Sequence, residues 1–246
     1  MAEVIQGLWI GRPLSALERL AMTSFLRHGH EYHLYCYDDV GSVPAGVVVK
    51  DGNEILRASE IFTYQHGAGR GSLSAFSNLF RYKLLLERGG WWADTDAVCL
   101  RPWDFPGSIV MASEHARGPQ AKVASGIMKL PAGHPVAAWC YDAASKADRS
   151  TVQWGEIGSV LVTRALVENN LLDVIMKPEV FCPIPWWDWQ LLLADDPRPA
   201  RSLVTGDSYS IHLWQEMWRR AGAIDSVVIP PGSLFGQLLE HFGVAW

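Results

Sequence analysis

Residues 77–100, SNLFRYKLLLERGGWWADTDAVCL, constrain this chain more than any other stretch. They read as a helix, a Gly-Gly stop, a tryptophan pair and two carboxylates one residue apart. Phe76, Leu79, Phe80, Leu84 and Leu86 recur near a period of about 3.6 residues, with Lys83, Glu87 and Arg88 between them. Ser72 or Ser74 is placed to cap the helix start, and Gly89-Gly90 supplies the left-handed stop a helix end favours. Trp91-Trp92-Ala93 and the apolar residues 97–100 are strand-like and bracket Asp94-Thr95-Asp96. Carboxylates set between apolar strands cost free energy unless a cation lies there. On a tight turn both can converge on one divalent ion. Hard oxygen ligands suit Mg²⁺ or Mn²⁺, which complete their shells with water and substrate phosphates. A lone Asp-x-Asp is more often a solvated turn. The apolar flanks and the Arg-bearing helix favour the metal reading here.

The preceding segments run strand, helix, strand. Residues 4–10 form a first strand, a helix starts at Pro13 with Leu14, Leu17, Leu20 and Ala21 on one face, and residues 31–37 alternate as a second strand. Residues 47–49 make a third. This order predicts an α/β fold with a parallel sheet, whose ligands gather at the C-terminal strand ends. Trp9-Ile10-Gly11 and Tyr37-Asp38-Asp39 fall at such ends. Residues 51–72, with Tyr64, Arg70 and several glycines, read as a loop near the site that lacks the Lys-Ser/Thr pair of a P-loop. Beyond the acidic pair, residues 109–112 and 126–129 read as strands, and His134 caps a helix over 135–147. A second apolar helix ends at Val167. The tail carries a strand-like segment at 227–229 before a Pro-Pro-Gly turn and a short helix.

At 246 residues, 49% hydrophobic and 19% charged, the chain affords one large domain or two small ones. A net charge of −5 weighs against a nucleic-acid partner held by phosphate electrostatics. No stretch approaches the ~20 apolar residues of a membrane span, and Met1-Ala2-Glu3 opens into a strand without a signal peptide. Cys36, Cys99, Cys140 and Cys182, widely spaced in apolar surroundings, read as reduced core thiols of a cytosolic protein. Twelve tryptophans, clustered at Trp91-Trp92, Trp186-Trp187-Trp189 and Trp214-Trp218, suggest flat apolar walls for a sugar or nucleobase. Core packing is the competing explanation for each of them.

Ser77-Asn78-Leu79-Phe80-Arg81, followed by Gly89-Gly90-Trp91-Trp92-Ala93-Asp94-Thr95-Asp96, resembles the sugar-binding region of Asp-x-Asp glycosyltransferases. The nearest families are the initiation mannosyltransferases and the α1,4-galactosyltransferase-like enzymes, with the glucosylating bacterial toxins more distant. Trp9-Ile10-Gly11 is similar to the family's nucleotide-base segment. Residues 125–135 are similar to its Asn-x-x-Met…Gly-His-Pro run, and residues 209–214 to its C-terminal His-x-Trp region. The chain departs from the pattern at Asn78, where Asp is usual, and at Ser125, where Asn is usual.

The resemblance implies a single GT-A type domain over 1–246, with a Rossmann-like, mostly parallel sheet flanked by helices. Residues 1–100 would form the nucleotide-sugar half, and residues 101–246 the acceptor half and closing segment. It implies Asp94, Asp96 and His212 at a Mn²⁺ or Mg²⁺ ion, and catalysis by Asp94, Asp96 and Arg81. Donor contacts would come from Trp9, Ile10, Asp38, Asn78, Arg81, Trp92, Asp94, Thr95 and Trp214. Ser125, Glu156, Trp186 and Trp187 are candidates for the acceptor or donor sugar. The activity implied is retaining transfer of a hexose from a nucleotide-diphosphate sugar, UDP favoured over GDP-mannose, to a saccharide or glycolipid. The setting would be bacterial surface-polysaccharide synthesis, in the cytoplasm or at the inner membrane face. A glycoside hydrolase fits poorly, because its paired acids must flank a sugar. A non-catalytic carbohydrate-binding protein would explain the tryptophans but not the acidic pair.

Overall fold

In the computed structural model the described residues are 3–11, 13–118, 122–224 and 226–246, so Met1 and Ala2 of the expected run into the first strand lie outside them. The elements are β1 (Ile5–Trp9), α1 (Ala16–Arg27), β2 (Tyr32–Cys36), β3 (Val47–Asp51), α2 (Ser74–Arg88), β4 (Gly90–Ala93), β5 (Ala97–Cys99), β6 (Val110–Glu114) and β7 (Lys122–Leu130). Then come α3 (Pro135–Ser145), α4 (Leu161–Glu168), α5 (Pro178–Phe181), α6 (Arg198–Leu203), β8 (Ser210–His212), α7 (Gln215–Arg220) and α8 (Leu234–Phe242).

The main sheet has the order β3-β2-β1-β4-β7-β6. β3, β2, β1 and β4 run parallel, while β7 is antiparallel to both β4 and β6. The expected α/β class with a mostly parallel sheet is what forms. β1 has β2 on one side and β4 on the other, so the connections diverge there and leave a crevice at its C-terminal end. A small second sheet pairs β5 with β8, Ala97 opposite His212. That pairing carries His212 back to the acidic turn across more than a hundred residues of chain.

Two helix starts differ from expectation. α1 begins at Ala16 rather than Pro13, because Ser15 and Glu18 form a capping box that satisfies both ends of the first turn. At α2, Leu73 holds the N-cap position with no side-chain bond, and the Ser72 hydroxyl accepts the first helical N–H, that of Ser74, and donates to the Ser74 hydroxyl. His134 caps α3 as expected, its Nδ1 accepting the Val136 N–H at 3.2 Å. Residues 227–229 form no strand. Val228 is exposed, while Val227 and Ile229 pack against the C-terminal core.

Successive residues of β4 point to opposite faces of the sheet, and both tryptophans are fully buried. Trp91 packs with Phe25, Tyr32 and Trp103 beneath α1, and Trp92 with Phe76, Phe80 and Leu84 of α2. Trp189, Trp218, Phe235 and Leu239 make a further core against Leu17 and Leu20 of α1. All four cysteines are free and buried, in line with the expectation of core thiols. No helix among the described residues is long and apolar enough to cross a membrane.

Gly89 ends α2 with φ +65° and ψ −164°, a backbone state nearly exclusive to glycine. A Cβ there would stand 2.3 Å from the Ala132 backbone nitrogen. Gln6 Nε2 donates to the Gly89 carbonyl at 2.8 Å, tying the stop to β1. Gly89→Ala should therefore lower unfolding free energy by about 2 kcal/mol or more in urea titrations. A loss under about 0.5 kcal/mol would show that the turn is not under this constraint.

Candidate active site

Asp94, Thr95 and Asp96 form the turn between β4 and β5, closed by the Ala97 N–H on the Asp94 carbonyl at 3.0 Å. The two carboxylates are held differently. Asp94 Oδ1 accepts from Arg81 Nη2 and from Trp92 Nε1, both at 2.9 Å, which leaves Oδ2 for the cavity. Asp96 Oδ2 accepts the Gln215 N–H at 2.8 Å, while Oδ1 faces His212 Nε2 at 3.4 Å. Burial pushes the Asp96 carboxyl above its ordinary range. His212 partly offsets this, and the neighbouring Asp94 charge adds to it.

Ligating atoms of Asp94, Asp96 and His212 all lie within 4.8 Å of one another. His212 Nδ1 accepts the Trp214 N–H at 3.3 Å, which turns Nε2 toward the acids. The Trp214 ring lies 4.1 Å from the imidazole, and Trp214 itself adopts a left-handed backbone, φ +58°. Strain of this kind in a bulky residue concentrates at functional sites. Gly126 faces the cluster, and a Cβ there would sit 2.7 Å from Asp94 Oδ2 and 3.4 Å from His212 Nε2. The open space over the glycine, two hard oxygens and one imidazole fit a divalent ion such as Mn²⁺ or Mg²⁺.

Gly126 reaches this position through an irregularity in the β6–β7 pairing. Met111 opposes Met128 but Ala112 opposes Ala124, so β7 carries residues 125, 126 and 127 in excess. The bulge also delivers the Ser125 carbonyl to Arg81 Nη1. Arg81 is 3% exposed, and its remaining bonds go to the Ser77 carbonyl and hydroxyl. Its guanidinium lies 4.9 Å over Trp92. Four of its five N–H groups bond protein acceptors, and through one of them it positions Asp94.

A cavity of about 950 Å³ opens above the cluster. Of the residues singled out from sequence, Trp9, Ile10, Asn78, Arg81, Asp94, Thr95, Asp96, Ser125, Trp186, His212 and Trp214 line it. Four others do not. Asp38 is exposed beyond β2, and Trp92 is buried behind Asp94. The Glu156 carboxylate accepts the Gln153 N–H, and Trp187 packs edge-on behind Trp186.

The cavity also takes in residues the motifs did not mark. Tyr64 and Trp154 form one wall, packed at 5.2 Å. Gly158, in a kinked turn, approaches Asn78 and Ser125 closely enough that a Cβ would meet the amide nitrogen at 3.2 Å. Glu216, Arg219 and Arg220 of α7 face the mouth, the arginines paired with Glu216 and Arg220 stacked 4.4 Å over Trp154. The one signal for them was their place just after the His-x-Trp segment.

Two family models match adjacent parts of the chain. One, described as the glycosyltransferase sugar-binding region containing the DXD motif, matches residues 19–115; the other, the alpha 1,4-glycosyltransferase conserved region, matches residues 131–242. A human alpha-1,4-N-acetylglucosaminyltransferase is 24% identical over 192 residues, covering 71% of this chain and 53% of that protein. The chain thus spans about half the length of that curated relative. A solved structure, the PaToxG glycosyltransferase, superposes with a TM-score of 0.52 at 15% identity, over 96% of this chain and 87% of that one. That likeness, with the sheet order, shows the GT-A fold. The chain thus carries a glycosyltransferase sugar-binding region containing the DXD motif, followed by an alpha 1,4-glycosyltransferase conserved region.

Proposed function

We propose that the chain is a metal-dependent, retaining glycosyltransferase. It moves a hexose from a nucleotide-diphosphate sugar, UDP favoured over GDP-mannose, to a saccharide or glycolipid acceptor. The observation that carries this reading is the convergence of Asp94, Asp96 and His212 at the floor of a cavity large enough for a nucleotide sugar. The name of the human relative adds an N-acetylglucosaminyl group to the donors worth testing. Synthesis of a bacterial surface polysaccharide, in the cytoplasm or at the inner membrane face, is the setting that goes with this reading.

Trp9 and Ile10, at the end of β1, are placed to cover the base. Asn78, Ser125 and Tyr64 offer neutral hydrogen-bonding groups to sugar hydroxyls, beside the opening left by Gly158. Asp94, Asp96 and His212 would hold a divalent ion, which would supply positive charge to stabilise the departing diphosphate. Arg219 and Arg220 add cationic donors at the mouth. In the reaction the bond from the anomeric carbon to the β-phosphate oxygen breaks. A bond to the acceptor hydroxyl oxygen forms on the same face, and the hydroxyl proton passes to the leaving diphosphate.

Charge pairing supports this front-face course over a covalent intermediate. Among the described residues, four carboxylates line the cavity. Asp94 and Asp96 form the metal pair, Glu114 is paired with Lys122, and Glu216 with Arg219 and Arg220. None is left to attack the anomeric carbon.

Incubation with UDP-hexoses, UDP-N-acetylglucosamine and GDP-mannose, followed by NMR of the product, should give transfer with the donor's anomeric configuration. Asp96→Asn should lower kcat at least about a hundredfold, the scale for losing electrostatic stabilisation of a leaving group. An inverted product would refute the front-face course. Sugar binding without turnover of any donor would favour a carbohydrate-binding protein. Gly126→Ala should weaken Mn²⁺ binding by about 10- to 100-fold in calorimetry, by crowding Asp94 Oδ2. Unchanged Mn²⁺ affinity would place the ion elsewhere.

A further inference from the structure

The far end of the β6–β7 hairpin carries charges that neither the metal cluster nor the donor uses. Glu114 and Lys122 are cross-strand partners on the cavity wall, joined at 3.2 Å, and the Lys122 side chain is 45% exposed. Lys122 lies four positions before Gly126 at the metal cluster, so it stands within about 14 Å of it along β7. The Arg117 guanidinium lies 5.3 Å over the ring of Trp186, which lines the same cavity. Among the described residues Arg117 has no carboxylate partner; its charge is met only by the faces of Trp186 and Trp187.

This arrangement differs from a solvated basic patch in two ways. The chain carries a net charge of −5, so an unpaired arginine on the rim is a local reversal of its field. The cation is also held on an aromatic ring, and such a ring offers an apolar face to a sugar while the fixed guanidinium offers a planar fork to an oxyanion. A neutral glycan would use the ring alone. β7 stands two strands from β1 in the sheet, so an acceptor lying past Ala124 and Trp186 would extend away from Trp9 and Ile10.

We propose that the acceptor is an anionic saccharide, whose carboxylate or phosphate is bound by Arg117 and Lys122 while a sugar ring lies against Trp186. The charged group belongs to a part of the acceptor beyond the residue that bears the reacting hydroxyl. The proposal rests on the transferase reading above, and deepens it by naming the acceptor class. Lys122 keeps its contact with Glu114 and meets the ligand anion with its remaining N–H groups, and Arg117 keeps its place on the ring.

The test is binding to the full chain, followed by ligand-observed NMR, of methyl β-glucuronide, glucose 6-phosphate and methyl β-glucoside. At least one anionic sugar should bind about tenfold more tightly than the neutral one. The preference should fall in Arg117→Gln and Lys122→Gln, weaken with salt, and be partly restored in Arg117→Lys. Preference for the glucuronide alone assigns a carboxylate, and for the sugar phosphate alone a phosphate. Equal affinities, binding of none of the three, or a preference that survives both glutamine variants would overturn the proposal. UDP with Mn²⁺, titrated into the same wild-type sample, separates the two readings. If UDP fails to bind, the transferase reading falls. If UDP binds but no anionic preference is seen, only the acceptor assignment falls.

Discussion

The ion pair between the buried Arg81 and the partly exposed Asp94 joins the helix and the acidic turn around which the rest of the site is arranged. Removing Asp94 would leave the Arg81 guanidinium buried without its counter-charge, which is costly. Here the cost has a structural consequence as well. Arg81 also holds the Ser125 carbonyl on the bulge of β7, and Trp92 fixes the same Asp94 oxygen from below. Three elements, α2, β4 and β7, are thereby locked at one carboxylate, and its second oxygen is aimed where a cation fits.

From that point outward the cavity changes character in layers. The floor is acidic, with Asp94 and Asp96 beside His212. The wall formed by Asn78, Ser125 and Tyr64 is neutral and polar, and the rim carries Arg219, Arg220 and Lys122. The α7 helix connects floor to rim, since the Gln215 N–H bonds Asp96 while Arg220 reaches Trp154. Whatever orders α7 therefore also orders one of the two acids.

Much of this was legible in the sequence where local rules act alone. The period of α2, the Gly89-Gly90 stop and the strand–helix–strand start all formed, and the Asp-x-Asp turn brought its acids together. Roles decided by long-range packing were not legible. Trp92 and Trp187 sit behind the wall because strand alternation and an edge-on contact with Trp186 turn them away from it. Asp38 is carried off by the exposed loop after β2, and Glu156 is spent on a local bond to Gln153. The bonds of Arg81 to Ser77, Asp94 and the Ser125 carbonyl also depend on packing that no local spacing shows. Arg219, Arg220 and Trp154 meet only through the fold, so no spacing in the chain could announce them. The segment 227–229 looked like a strand by composition, but it packs onto the C-terminal core instead of pairing with a sheet.

The central claim is that the Asp94, Asp96 and His212 cluster binds a nucleotide diphosphate through a divalent ion. Calorimetric titration of UDP and GDP into the wild-type chain, with Mn²⁺ and again with EDTA, tests it most directly. The account predicts saturable binding of one nucleotide, UDP before GDP, that disappears when the metal is withdrawn. Binding of equal strength with and without metal, or no binding of either nucleotide in Mn²⁺, would contradict it.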